Sequence, residues 1–161
     1  LLTVLLWQFY GKKNIKAHPG LKTTAASLLL VFCLVSCSTA PQPIKPGVDA
    51  CSFCKMGIAD NRFGGEIITK KGKIFKFDDM HCLLAFRKSN TINPADIKET
   101  FLVNFNDPHE LIEASKAFLL KSKDFHSPMG GNVAALTDES KLKEVSQKFR
   151  ADEISWAALL K

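Results

Sequence analysis

Apolar residues in this chain fall in short runs separated by polar turns, and the runs predict strands more often than helices. Gly65-Glu66-Ile67-Ile68-Thr69 reads as a strand. Lys70-Lys71-Gly72-Lys73 reads as a hairpin turn, with Gly72 suited to a positive φ. Ile74-Phe75-Lys76-Phe77 is the return strand, rich in β-branched and aromatic residues. Asp78-Asp79 then offers a helix N-cap and favourable N-terminal charge. The helix is expected over about residues 80–88, with Leu83, Leu84 and Phe86 on its apolar face and Asn90 marking its end. Met80 is expected to pack in the core.

The second half repeats this style. Residues 90–99 read as a polar connector broken at Asn93-Pro94, residues 100–105 as a strand, and Asn106-Asp107-Pro108 as a turn. Residues 109–114 read as a short helix or loop, 117–120 as a strand and 121–128 as a polar loop. A further strand is expected after Gly130-Gly131. Asp138 should cap a helix over about 139–149, with Leu142, Val145 and Phe149 on one face. Residues 151–161 read as a final short helix packed through Trp156. The fold class is α+β. Gly64-Gly65-Glu66-Ile67-Ile68-Thr69 and Gly130-Gly131-Asn132-Val133-Ala134-Ala135 resemble each other, and an acidic residue starts the helix after the strands in both halves.

The pattern ahead of these elements is different. Residues 12–22 form a basic segment, and residues 23–35 an apolar one centred on Leu28-Leu29-Leu30-Val31-Phe32. That apolar run is too short for a comfortable membrane span and ends in small residues, as an export signal does. Leu34-Val35-Ser36-Cys37 resembles a bacterial lipobox, which implies cleavage before Cys37 and its lipidation. Residues 1–36 are therefore expected to be a leader, with 1–10 a mis-start or extra segment and Cys33 lost with the rest. Residues 37–47, with three prolines, read as lipid anchor and extended tether, and 48–161 as the functional domain. Ser38 after the acylated Cys implies an outer-membrane anchor facing the periplasm.

Charge changes the picture once the leader is set aside. The full chain has 22 basic and 16 acidic residues, a formal net of +6. Lys12, Lys13, Lys16 and Lys22 precede Cys37, and removing those four from the 22 leaves 18 against 16, a net of +2. No nucleic-acid partner is expected for so nearly neutral a domain. The membrane partner is expected only through the lipid anchor.

The candidate chemistry lies in Cys51-Ser52-Phe53-Cys54-Lys55-Met56. Two thiols three positions apart can reach one metal ion through a tight turn. Met56 adds a thioether, and thiolate with thioether favours a soft ion, commonly Cu(I). Met129, in a Pro-Met-Gly-Gly loop, is placed as exposed soft-metal ligands are. Knuckle, hairpin, then a helix with Cys82 in its first turn is the order of a treble-clef-like metal fold. That order opens a zinc alternative through Cys51, Cys54, Cys82 and His81, although the commoner role for a free Cys at position 82 is core packing. A Cys51–Cys54 disulfide and a thiol oxidoreductase are competing readings. No thioredoxin-like βαβ context surrounds the motif, and no Ser/His/Asp or paired-carboxylate arrangement stands out, so no enzyme is expected.

The lipobox, the Cys51–Met56 motif, the Gly64-Gly65-Glu66 strand, Phe77-Asp78-Asp79-Met80-His81-Cys82 and Pro128-Met129-Gly130 occur in one order. Together they resemble the NosL family of nitrous oxide reductase accessory lipoproteins. The resemblance implies two small ββαβ-type halves and a Cu(I)-binding copper chaperone. It implies delivery to nitrous oxide reductase or its maturation complex as the copper-receiving client. The family's metal motifs map onto Cys51, Cys54, Met56 and Met129. Ser52 departs from the pattern, because relatives often carry His there.

Overall fold

The computed structural model describes residues 40–161. The leader, Cys33 and the lipobox with Cys37 lie outside the described residues.

The architecture is two antiparallel sheets with one helix following the hairpin of each. In the first, β1 (Gly65–Thr69) pairs with β2 (Ile74–Phe77), helix α1 (Met80–Lys88) follows, and β3 (Ile97–Val103) returns along the other side of β1. A short strand β4 (Leu111–Glu113) adds to the edge, giving the order β2-β1-β3-β4. In the second, β5 (Phe118–Lys121) pairs with β6 (Val133–Leu136), helix α2 (Glu139–Phe149) follows, and β7 (Asp152–Ile154) pairs on the far side of β5, in the order β6-β5-β7. A final turn of helix, α3 (Trp156–Leu159), closes the chain. Each half thus places its first strand centrally, its hairpin partner on one side and its post-helix strand on the other. This is the ββαβ arrangement expected, with β4 as an addition to the first half.

Both long helices begin where the acidic residues predict. Asp79 accepts from the His81 amide at the start of α1, and Asp138 from the Ser140 amide at the start of α2. Two expectations need correction. Residues 109–114 hold strand β4 rather than a helix or free loop, because Leu111, Ile112 and Glu113 find ladder partners in Val103, Leu102 and Phe101. Residues 151–161 are not one helix: Asp152, Glu153 and Ile154 pair with Lys121, Leu120 and Leu119, which leaves only α3 helical. Both are short segments whose weak local pattern is overridden by strand pairing. The connector is also shorter than expected, since β3 begins at Ile97.

The halves are joined by backbone. Phe105 donates to the Ala135 carbonyl (2.8 Å), beside a parallel bridge between Asn104 and Ala135. One core lies under α1 and includes Ile67, Phe77, Leu83 and Leu102, together with Cys51 and Cys82. A second is built on Phe63, Phe105 and Phe125 with Leu120, Leu136 and Leu142, and Phe149 packs against it. Phe105 meets Phe149 edge-on with ring centroids 5.6 Å apart.

Gly65 sets the distance between α1 and the sheet. A Cβ there would lie 2.7 Å from Leu83 Cδ1 and 2.8 Å from the Phe101 carbonyl oxygen. The second contact is backbone of the neighbouring strand and cannot step aside. The close approach this allows brings the first turn of α1, with Cys82, down to the level of the knuckle.

Residues 42–49 lie against the same sheet. Lys76 Nζ donates to the Pro43 carbonyl (3.0 Å) and pairs with Asp49 (2.8 Å), and Ile44 is buried in the first core. The Gln42 amide donates to the carboxylate of Glu66 (3.1 and 3.3 Å), which is fully buried in β1. Glu66 and Lys76 thus supply partners for residues 42–43 of the stretch read as tether. Burial pushes the Glu66 carboxyl above its ordinary value, with the Gln42 amide and Lys76 opposing.

Gly65→Ala is expected to cost about 1–3 kcal/mol through overpacking, read as a lowered denaturation midpoint with an unchanged denaturant slope. Glu66 is expected to favour folding only at acid pH. Its folded pKa is raised, so its contribution is full below the unfolded value of about 4.3 and is lost as pH rises through the folded value. Glu66→Gln should therefore raise the melting temperature at pH 7, with the difference shrinking towards zero near pH 4. Melting curves of both proteins across that range check this.

Candidate metal centre

The knuckle is a closed turn pinned to strand β2. The Cys51 amide donates to the Met56 carbonyl (2.8 Å), and the Lys55 amide to the Cys51 carbonyl (3.0 Å). Lys55 takes a left-handed conformation (φ 68°) that a side chain rarely favours, and its ammonium clamps the turn by donating to the Ser52 carbonyl (2.6 Å). Ser52 binds β2 twice: its amide donates to the Lys76 carbonyl (2.7 Å), and its hydroxyl accepts from the Lys76 amide (3.1 Å). The residue standing where a His ligand was noted as missing thus fixes the knuckle to the sheet.

Cys82 enters from α1, as the third residue of its first turn. Cys51, Cys54 and Cys82 come together with Asp78, one ligand atom from each lying within 4.8 Å of all the others. Cys51 and Cys82 are buried (1% and 0% exposed), Asp78 nearly so, and Cys54 is half-buried. Cys54 Sγ lies 3.9 Å from both carboxylate oxygens of Asp78. All three thiols are free. Burial pushes the Cys82 thiol strongly up, with Cys51 and Asp78 adding to the effect. Burial also pushes Cys51 up, and the Asp78 carboxylate beside it favours the protonated form. The positive end of α1 would favour a thiolate at Cys82, but desolvation outweighs it. A soft cation would have to displace these protons.

The Met129 loop is held at the same end of α1. Asp79, fully buried, accepts from the amides of His81 (2.6 Å), Met129 (2.9 Å) and Gly131 (3.1 Å). The loop is also bonded to itself: Ser127 and Asn132 exchange two hydrogen bonds, at 2.9 and 2.7 Å. A Cβ at Gly131 would collide with Asp79 Oδ1 and lie 2.6 Å from the His81 nitrogen, so only glycine lets the loop approach. Met129 is partly buried against the core that contains Cys51 and Cys82. Met56 is 50% exposed.

Among the residues singled out from sequence, the structure gathers Cys51, Cys54 and Cys82 at one point and fastens the Met129 backbone to the cap residue next to Asp78. Met56 follows the knuckle at the surface. Cys82, read first as packing, belongs both to the core and to the thiol group. Met80 is buried packing as expected, while His81 is exposed and outside the cluster. Asp78 was missed, being read with Asp79 as a cap. The signal was available, because a helix has one N-cap and the second of two adjacent carboxylates needs another role.

A protein-family model, NosL, matches residues 43–153. No curated protein matches the chain by sequence. Among solved structures, the chain is similar to the crystal structure of the copper chaperone NosL from Shewanella denitrificans, with a TM-score of 0.62 and 18% identity over 74% of this chain and 95% of that one.

Asp79→Ala leaves three inward-facing amides without their acceptor and removes the cap of α1. The expected cost is about 2–4 kcal/mol. Hydrogen exchange distinguishes this from a general loss of stability: amides of Met129 and Gly131 should exchange far faster, while those of α2 follow only the global change.

Proposed function

The chain belongs to the NosL family, and on that premise we propose that it is a copper chaperone, holding Cu(I) between the Cys51–Met56 knuckle, Cys82 and the Met129 loop. The observation that carries this reading is the convergence of three thiols from two separate segments at a point where one of them, Cys54, still reaches the surface. Sulfur donors of this density select a soft monovalent ion over hard divalent ones. The copper-chaperone character of the matched Shewanella protein supports it.

The geometry suits loading and release. Cys51 and Cys82 are walled in by the core, so a metal enters and leaves past Cys54, with Met56 beside it on the exposed side of the turn. Thioethers bind without losing a proton, whereas each thiol must give one up. Exchange with a client then proceeds by substitution, an incoming sulfur or imidazole replacing the outer donors before the inner ones. Nothing in this process turns over a substrate, and the protein acts as a carrier rather than an enzyme. The client is nitrous oxide reductase or its maturation machinery, and the protein works as a lipoprotein anchored through Cys37 on the periplasmic side of the outer membrane.

Zinc is the second reading, favoured by Asp78. Three thiolates and one carboxylate make a closed four-ligand set, which suits a structural Zn(II) site that needs neither methionine.

Competition against a chromogenic Cu(I) chelator, with copper and zinc content measured on the reduced protein, separates the two. One Cu(I) per chain is expected, weakened at least about tenfold by Cys54→Ser and also by Met129→Ala. Zinc retained in preference to copper, lost on Asp78→Asn and untouched by Met129→Ala, would replace the copper reading. Because the raised thiol pKa values mean that bound metal displaces protons, apparent Cu(I) affinity should fall with pH by about tenfold per unit for each thiol deprotonated.

A further inference from the structure

Beside the Met129 loop runs a groove of about 340 Å³ between α1, β6 and α3. Leu84, Ala85, Val133 and Leu159 give it an apolar lining, joined by Gly130 and Gly131 of the Met129 loop. Lys88, from the last turn of α1, and Lys121, from the end of β5, also line it. Both lysines are exposed, and neither belongs to any ion pair among the described residues. No lining residue is acidic. Lys116, Lys141 and Arg150, by contrast, are paired with Glu113, Glu144 and Asp124.

We infer that this groove docks an acidic, apolar-anchored segment of the copper-receiving partner, seating one or two aliphatic side chains on Leu84 and Leu159 and pairing its carboxylates with Lys88 and Lys121. The charge complement selects the occupant. A purely apolar partner would leave two ammonium groups facing it, and a basic one would be repelled. A segment held here lies against Gly130, next to Met129, whose loop is bonded to Asp79 beside Asp78 of the thiol cluster. The rim charges would act mainly on the rate and selectivity of encounter, and the apolar floor on residence. The inference rests on the copper-carrier reading for the identity of the partner, but the groove's preference for an acidic segment stands on its lining alone.

The test uses the protein labelled with nitrogen-15 and two capped hexapeptides, one with leucines flanked by glutamates, the other with lysines in place of the glutamates. The acidic peptide should shift the amides of Leu84, Lys88, Lys121 and Leu159, more weakly as salt rises, and the basic one should not. Lys88→Glu/Lys121→Glu should weaken acidic-peptide binding at least about tenfold, Lys88→Gln/Lys121→Gln should be intermediate, and Lys71→Glu/Lys143→Glu should match the parent. Shifts located elsewhere, equal responses to the two peptides, or the same groove amides moving on simple dilution (a second copy as occupant) would each overturn it. Cu(I) affinity of the reversed variant should stay within about twofold of the parent. A parent that binds no Cu(I) defeats the carrier reading while leaving the peptide result intact. A parent that binds Cu(I) but not the acidic peptide defeats only the groove.

Discussion

The buried carboxylate of Asp79 is the contact on which the site depends. One side chain satisfies the first turn of α1 and two amides of a loop fifty residues further along the chain. A charged group with no exposure is tolerable only when its lone pairs are filled, and three short N–H donors fill them. The same bonds, together with the Ser127–Asn132 pair, hold the Pro-Met-Gly-Gly loop against α1. Gly131 is required because the carboxylate occupies the space where a side chain would begin.

A second constraint is the cost of burying thiols beside a carboxylate. Cys51 and Cys82 are pushed towards their neutral forms by desolvation and by Asp78, so the metal-free centre holds protons tightly. A bound cation reverses this balance, since it supplies the positive charge that the surroundings lack. Affinity for a cation and acidity would thereby be coupled, since each thiol must lose its proton to bind. Cys54, half-buried, is the most exposed of the three thiols.

Much of this was legible beforehand. The hairpin between β1 and β2, the Asp79 and Asp138 caps, and both long helices follow from local rules of period, turn and capping, and those rules act over a few residues. The two halves share a strand order, β2-β1-β3 and β6-β5-β7, but the likeness between 64–69 and 130–135 sets the central strand β1 against the edge strand β6, so it does not mark equivalent positions. β4 and β7 were not legible, because each has only three residues and exists through its partner strand rather than through its own pattern.

The sequence by itself determined that a soft-donor knuckle would sit ahead of a hairpin and a capped helix, because the spacing of Cys51, Cys54 and Met56 and the run from Gly65 to Lys88 are local facts. Only the tertiary structure decided which donors meet. Cys82 and Asp78 join the knuckle because Gly65 lets α1 settle onto β1, and Met129 stands at that helix because Asp79 reaches across to its loop. Both are contacts between segments distant in sequence, set by close packing and by the need to satisfy a buried charge, and no local pattern carries that information.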